Sequence, residues 1–225
     1  MANIVVTGAN RGIGLALVVA YRAKGHKVIG LCRESSEALE SSGAKVISGI
    51  DVTRPETLTD LHDCVETIIG QGQGIDILIN NAGLLCDESF GRLNYDTMVQ
   101  QFEVNALGPL RITEALESTL ANSAKVIFIT SRMGSMADNG SGGRYGYRMS
   151  KAALNAAGVS LAQDFKERGF SVALLHPGYV QTDMVGGRGD IPPELAASRL
   201  MERIEQLTLD SSGSFWHSNG EMLPW

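Results

Sequence analysis

The chain has 225 residues, 44% hydrophobic and 20% charged, with nineteen basic side chains against twenty-five acidic ones and a net charge of −6. At about 150 residues per domain this is one domain or two, and one is expected, with a core large enough to need neither disulfides nor metal. The composition excludes disorder and collagen, and no apolar run reaches the ~18 residues of a membrane span; without clustered Lys and Arg, neither nucleic acid nor a membrane surface is an expected partner.

Met1-Ala2-Asn3 runs straight into an apolar segment at Ile4 with no basic stretch or cleavage site, so no export and a cytoplasmic location are expected. The first strand is Ile4-Val5-Val6. A helix follows, with Ile13, Leu17 and Tyr21 on one stripe and Gly25 as its stop. Further apolar runs come at Val28–Leu31, Lys45–Ile47, Ile75–Ile79, Val126–Ile129 and Val172–Leu175. Thr53 with Glu56 reads as a capping box opening a helix through Leu58, Leu61 and Val65. Helices are also expected over Asp96–Glu117, interrupted near Pro109, over Tyr147–Arg168, and after Pro192-Pro193 with Leu200, Ile204 and Leu207 on one face. The strand runs are mostly continuous rather than alternating, as in strands covered on both faces. Strand–helix alternation with long crossovers predicts an α/β fold, a single-domain doubly wound parallel sheet over residues 1–225. Cys32, Cys64 and Cys86 are odd in number and far apart, as reduced thiols are, and the four histidines lack metal-ligand spacing, so no metal is expected.

Thr7-Gly8-Ala9-Asn10-Arg11-Gly12-Ile13-Gly14 joins the first strand to the first helix. Glycines there let backbone N–H groups approach a ligand, and the helix start adds unpaired donors and a partial positive charge for a pyrophosphate. The spacing is Gly-x3-Gly-x-Gly, and a glycine-rich turn alone also serves plain tight turns. Its place after the first strand is what points to a dinucleotide. Enzymes using NAD(H) end the second strand on a carboxylate that bonds the ribose; here that stretch reads Leu31-Cys32-Arg33. Arg33, with Arg11 as a second arm, suits a 2′-phosphate. NADP(H) is therefore expected over NAD(H), which stays possible if Glu34 takes the acid's role one position late.

Tyr147 and Lys151 stand four apart and share a helix face. Alone the pair reads as an exposed tyrosine and a solvated lysine. Three segments change that reading: Asn80-Asn81-Ala82-Gly83, Thr130-Ser131 and Pro177–Met184 each follow a strand's carboxyl end, where open α/β sheets bind ligands. Together with the glycine turn, Asp51-Val52 and Asn105, these motifs run in order over nearly the whole chain and resemble the short-chain dehydrogenase/reductase family. A closer likeness, to C-factor and sniffer-type carbonyl reductases, rests on Tyr147–Asn155, Leu175–Gly178 and the ending Gly213–Trp225.

The resemblance implies a Rossmann sheet of about seven strands and an oxidoreductase interconverting a carbonyl and an alcohol. Tyr147 would be the acid/base, its pKa near ~10 lowered by Lys151. Ser131 would polarise the carbonyl, with Ser135 a remote alternative. Asn105 would hold a water linking Lys151 to solvent, or else simply pack a helix bend. Gly8, Asn10, Gly12, Ile13 and Gly14 would cradle phosphates. Asp51 and Val52 would meet the adenine, and Asn81, Ala82 and Gly83 the ribose. Val180 and Thr182 would meet the nicotinamide carboxamide, and Pro177 and Gly178 would also bind the cofactor. His176 reads as structural.

Ser131 and Tyr147 lie further apart than is usual in that family, with Gly140–Gly143 between them. The substrate lid, over about 183–210, is expected to be short, leaving an open pocket or one covered by the C-terminus or a partner. Met133, Met184 and Trp225 are candidate walls. The Ala-rich helix from Ala152 is expected to pair in a homodimer or homotetramer. A rival function on the same fold is a nucleotide-binding signalling protein with little turnover.

Overall fold

The computed structural model describes residues 1–225, and its elements alternate as the apolar runs predict. In chain order they are β1 (Asn3–Thr7), α1 (Gly12–Ala23), β2 (Lys27–Leu31), α2 (Glu37–Ser41), β3 (Lys45–Ile47), α3 (Leu61–Ile69) and β4 (Ile75–Asn80). The second half has α4 (Tyr95–Phe102), α5 (Gly108–Leu116), β5 (Leu120–Ile129), α6 (Tyr145–Asp164), β6 (Ser171–His176), α7 (Pro193–Gln206) and β7 (Ser214–His217). The seven strands form one sheet in the order β3-β2-β1-β4-β5-β6-β7, every neighbouring pair parallel.

Alternate residues along each strand feed two cores. Val5, Ile29, Leu78, Val126 and Phe128 pack under α3, α5 and α6, and Ile4, Val6, Val28, Ile79 and Ile127 pack under α1 and α7. Burial on both faces is why these strands read as unbroken hydrophobic runs, β1 being buried at all five residues. The strand order reverses between β1 and β4, so the loops leaving them diverge and a crevice opens at their carboxyl ends.

Two local expectations are corrected and a third, the break near Pro109, is borne out. Thr53 and Glu56 form no capping box: the Thr53 N–H and hydroxyl both donate to Asp51 Oδ1, at 2.9 and 2.7 Å, and only a 3₁₀ turn runs over Pro55–Leu58. The α3 helix starts later, at Leu61. The helix before Pro109 is interrupted by a wide π turn over Glu103–Leu107, which carries the chain to a proline that cannot donate. The region 183–210 is not all lid, because Ala197, Leu200, Met201 and Ile204 of α7 are buried against the sheet. Only the segment between Asp183 and Pro192 is left to border the crevice.

Candidate active site

The crevice is a cleft of about 1000 Å³ running from the end of β2, across the β1 and β4 loops, to the start of α6. At its centre lies the glycine turn. Gly8 takes the left-handed conformation (φ 63). A Cβ on Gly14 would stand 2.2 Å from the Gly8 carbonyl oxygen and 2.6 Å from Asn81 Nδ2, so only glycine lets the helix start so close to the turn. Asn81 secures the same place from the other side, its Nδ2 donating to the Thr7 and Gly8 carbonyls at 3.0 and 3.2 Å. The Thr7 hydroxyl accepts from the Asn81 and Ala82 N–H groups. The two loops are thereby tied together at the switch point.

Helix α1 opens toward the cleft with no side-chain cap and no acidic residue in its first turn. Its first N–H groups and its partial positive charge are therefore available to a diphosphate, which is the test a dinucleotide has to meet here. At the β2 end Arg33 is exposed in the cleft opposite Asp51. Burial pushes the Asp51 carboxyl up, but the two bonds from Thr53, with the Arg33 and Arg54 charges, outweigh it and hold the group below its usual range. Arg11 behaves differently from the expected second arm: its Nη1 lies 3.5 Å from Asp183 Oδ2, bridging the mouth of the cleft in an exposed pair.

At the far end β5 delivers Ser131 and α6 delivers Tyr147 and Lys151, all three buried yet lining the cleft. Lys151 Nζ donates to the Ile129 carbonyl at 2.9 Å, and burial brings its pKa down to about 7. Burial raises the Tyr147 pKa; a hydrogen bond with Ser131 and the charge of Arg144 oppose that rise. The charge of Arg144, which the sequence reading did not single out, acts on the phenol as well, and Lys151 Nζ stands 5.8 Å from the ring centre. The glycine insert does not part Ser131 from Tyr147. The Arg148 guanidinium donates to the Gly142 and Gly143 carbonyls and to Ser141 Oγ, folding the insert back on α6.

Of the remaining expected residues, Asn10, Gly12, Ile13, Val52, Ala82, Gly83, Pro177, Gly178, Val180 and Thr182 also line the cleft, and Gly14 supports it from behind. Asn105 does not reach it. Fully buried in the π turn, its Nδ2 donates to the Leu84 carbonyl and Ser150 Oγ while its Oδ1 accepts from the Leu84 N–H. Its side chain is committed to holding the bend against the loop after β4. Ser135 is also elsewhere, donating to the Trp225 carbonyl. Trp225 stacks on Phe215 and walls nothing, whereas Met133 and Met184 face the cleft. His176 borders the cleft edge-on to His217, and burial drives its pKa down to about 3, so it stays neutral and cannot serve as a proton carrier near neutral pH.

A second element missed by the sequence reading is the support of α6. Arg144, at the cap position just before the helix, supplies no capping side chain, and the helix's first turn has no acidic residue. Glu88, from the loop after β4, serves instead: its Oε2 accepts from the Gly146 N–H at 3.2 Å and its Oε1 from Gln101 Nε2 at 2.6 Å. No local pattern reveals a cap supplied from 58 residues away.

A doubly wound parallel sheet with an uncapped helix start at the switch point, and a Ser–Tyr–Lys group at the end of the same cleft, defines a class of dinucleotide-binding oxidoreductases. Comparison with known proteins narrows the class. The family model of the short chain dehydrogenase matches residues 2–190. A 1-hydroxy-2-glutathionyl-2-methyl-3-butene dehydrogenase of Rhodococcus sp. (strain AD45) is 39% identical, over the whole of both chains. The C-signal protein of Myxococcus xanthus is 45% identical over 67% of this chain and 93% of its own. Among solved structures, the carbonyl reductase Sniffer of D. melanogaster superposes with a TM-score of 0.93 at 28% identity, covering both chains fully. An NADPH-bound carbonyl reductase from chicken fatty liver gives 0.92 at 26% identity, covering 100% of this chain and 99% of that one. The chain belongs to the short-chain dehydrogenase/reductase family.

Proposed function

We propose that this chain is an NADP(H)-preferring carbonyl reductase that interconverts a ketone or aldehyde and the corresponding alcohol, with Tyr147 as its acid/base. The observation that carries the reading is that Ser131, Tyr147 and Lys151 open into the same cleft as the uncapped start of α1. The chicken liver reductase, whose structure holds NADPH, supports the cofactor, and the Rhodococcus dehydrogenase of a glutathionyl alcohol supports the reaction class.

When bound, the dinucleotide supplies the hydride, or accepts it in the reverse direction. Ser131 donates to the carbonyl oxygen, a bond that strengthens as negative charge builds there. Tyr147 gives its proton to that oxygen, leaving a phenolate that the field of Arg144 favours. Lys151, with a pKa brought to about 7, holds a labile proton near neutral pH and restores it to the phenol. Asn105 acts at one remove, by keeping Leu84 and Ser150 in register beside the two.

The C-signal relative keeps a signalling role in view, and that role needs no loss of turnover. The decisive experiment is a panel of ketones, quinones and aldehydes followed by NADPH absorbance, with wild type and Tyr147→Phe side by side. The variant is expected to lose on the order of 10³-fold in kcat and to bind NADPH within a few-fold of wild type. Near-normal turnover by the variant removes the proposed mechanism.

A further inference from the structure

The substrate end of the cleft carries charge of one sign. Arg132 and Arg144 both line it beside Ser131 and Tyr147, whereas their carboxylate partners Asp87, Asp138 and Glu221 stand outside it. Acidic residues that do face the cleft belong to its other parts: Glu34 and Asp51 lie by the end of β2, and Asp183 is taken up by Arg11.

Arg144 is held there deliberately. Its backbone is left-handed (φ 52, ψ 47), a conformation that L residues avoid and that persists where the surroundings enforce it. Two contacts enforce it: the Arg144 N–H donates to the Glu88 carbonyl at 2.8 Å, and Nε donates to Asp87 Oδ1 at 2.6 Å. Nη1 has only the Met133 sulfur, at 3.8 Å, and Nη2 donates to nothing in the protein. A guanidinium tethered through Nε, with its Nη edge unspent and its side chain 39% exposed, is preorganised for an incoming oxyanion. A lysine, with no planar fork, has no equivalent geometry.

We infer that Arg144 is a specificity-determining residue that takes the carboxylate of the substrate, so that the favoured substrates are carbonyl compounds, or alcohols, that also bear a carboxylate. This rests on the reading of the site as a carbonyl reductase. The carboxylate docks on the Nη edge of Arg144 while the reacting carbonyl lies at Ser131 and Tyr147.

The test compares benzoylformate with its methyl ester, which share the ketone while only the first is anionic, using NADPH with wild type, Arg144→Met and Arg144→Lys. Because the ester is the more reactive ketone, the readout is how each variant changes kcat/KM on each compound relative to wild type. Arg144→Met is expected to lower kcat/KM on the acid at least tenfold more than on the ester, chiefly through KM, and Arg144→Lys is expected to fall between the two. Equal losses on acid and ester overturn the inference, because a residue serving only Tyr147 would affect both alike. If Arg144→Met does not fold, the same comparison is read from Arg144→Lys. Turnover of aldehydes and quinones without any of the keto acid defeats this inference alone, while no turnover of any carbonyl defeats the reading it rests on.

Discussion

Arg33 and Arg144 show how much one guanidinium decides at opposite ends of one cleft. Arg33 sits where an NAD(H) enzyme ends its second strand on a carboxylate. If it pairs with a 2′-phosphate, Arg33→Ala removes a charge-assisted contact of about 1.5–3 kcal/mol. That is roughly 10- to 100-fold in Kd for NADPH, while NADH should shift by no more than a few-fold. Fluorescence titration of both cofactors checks this, and equal losses would show that Arg33 is not the phosphate contact. Both residues bear on how far a sequence can be read. Arg33 was legible because its position relative to the glycine turn is set by one βα unit. Arg144 was not, because its role depends on a left-handed backbone and on Asp87 and Glu88, more than fifty residues away.

Most of the strands that were legible share one physical property, burial on both faces, the edge strand β3 being the exception. Runs such as Ile4–Val6 and Val126–Ile129 cannot be mistaken when every residue is apolar. The elements that escaped are half wet: β7 pairs on one side only, to β6, and reads Ser-Phe-Trp-His with a single buried residue. The first half of β5, over Leu120–Ser123, is likewise part exposed. Helix α6 was legible in its middle, yet its start was not, since the cap comes from Glu88. Glu88→Ala would leave the Gly146 N–H buried without a partner and Gln101 Nε2 with only its long bond to the Thr97 carbonyl, which costs about 1–3 kcal/mol. In a domain of this size each kcal/mol lowers Tm by roughly 2–4 °C. Scanning calorimetry should register a drop of a few degrees, and Glu88→Gln, which keeps an acceptor, should lose less. An unchanged Tm for the alanine variant would mean that α6 is held some other way.

At the scale of the whole molecule, Val99 and Phe102 on α4 and Met149 and Val159 on α6 are exposed, on two helices that pack side by side. Single exposed hydrophobics are ordinary, but a helix pair that presents several of them is a candidate association surface. We propose that a second copy of the chain covers it in a homodimer with two-fold symmetry, in which each such residue appears twice. Val99→Asp should then shift the mass measured by light scattering at micromolar concentration from dimer to monomer, and a wild type that is already monomeric sinks the idea.

The order β3-β2-β1-β4-β5-β6-β7 also governs how the chain must acquire its shape. Ile4 pairs with Ile77, and Val6 with Ile79, so the two middle strands are joined through more than seventy intervening residues. Each parallel pairing has to close a long loop before it is rewarded, which makes such topologies slow to assemble. On the ribosome β1 emerges first and must wait, apolar on both sides, until β4 has been synthesised. A strand buried on both faces is thus the one left longest without its central neighbour, and the nascent chain is at its most vulnerable to aggregation during that interval.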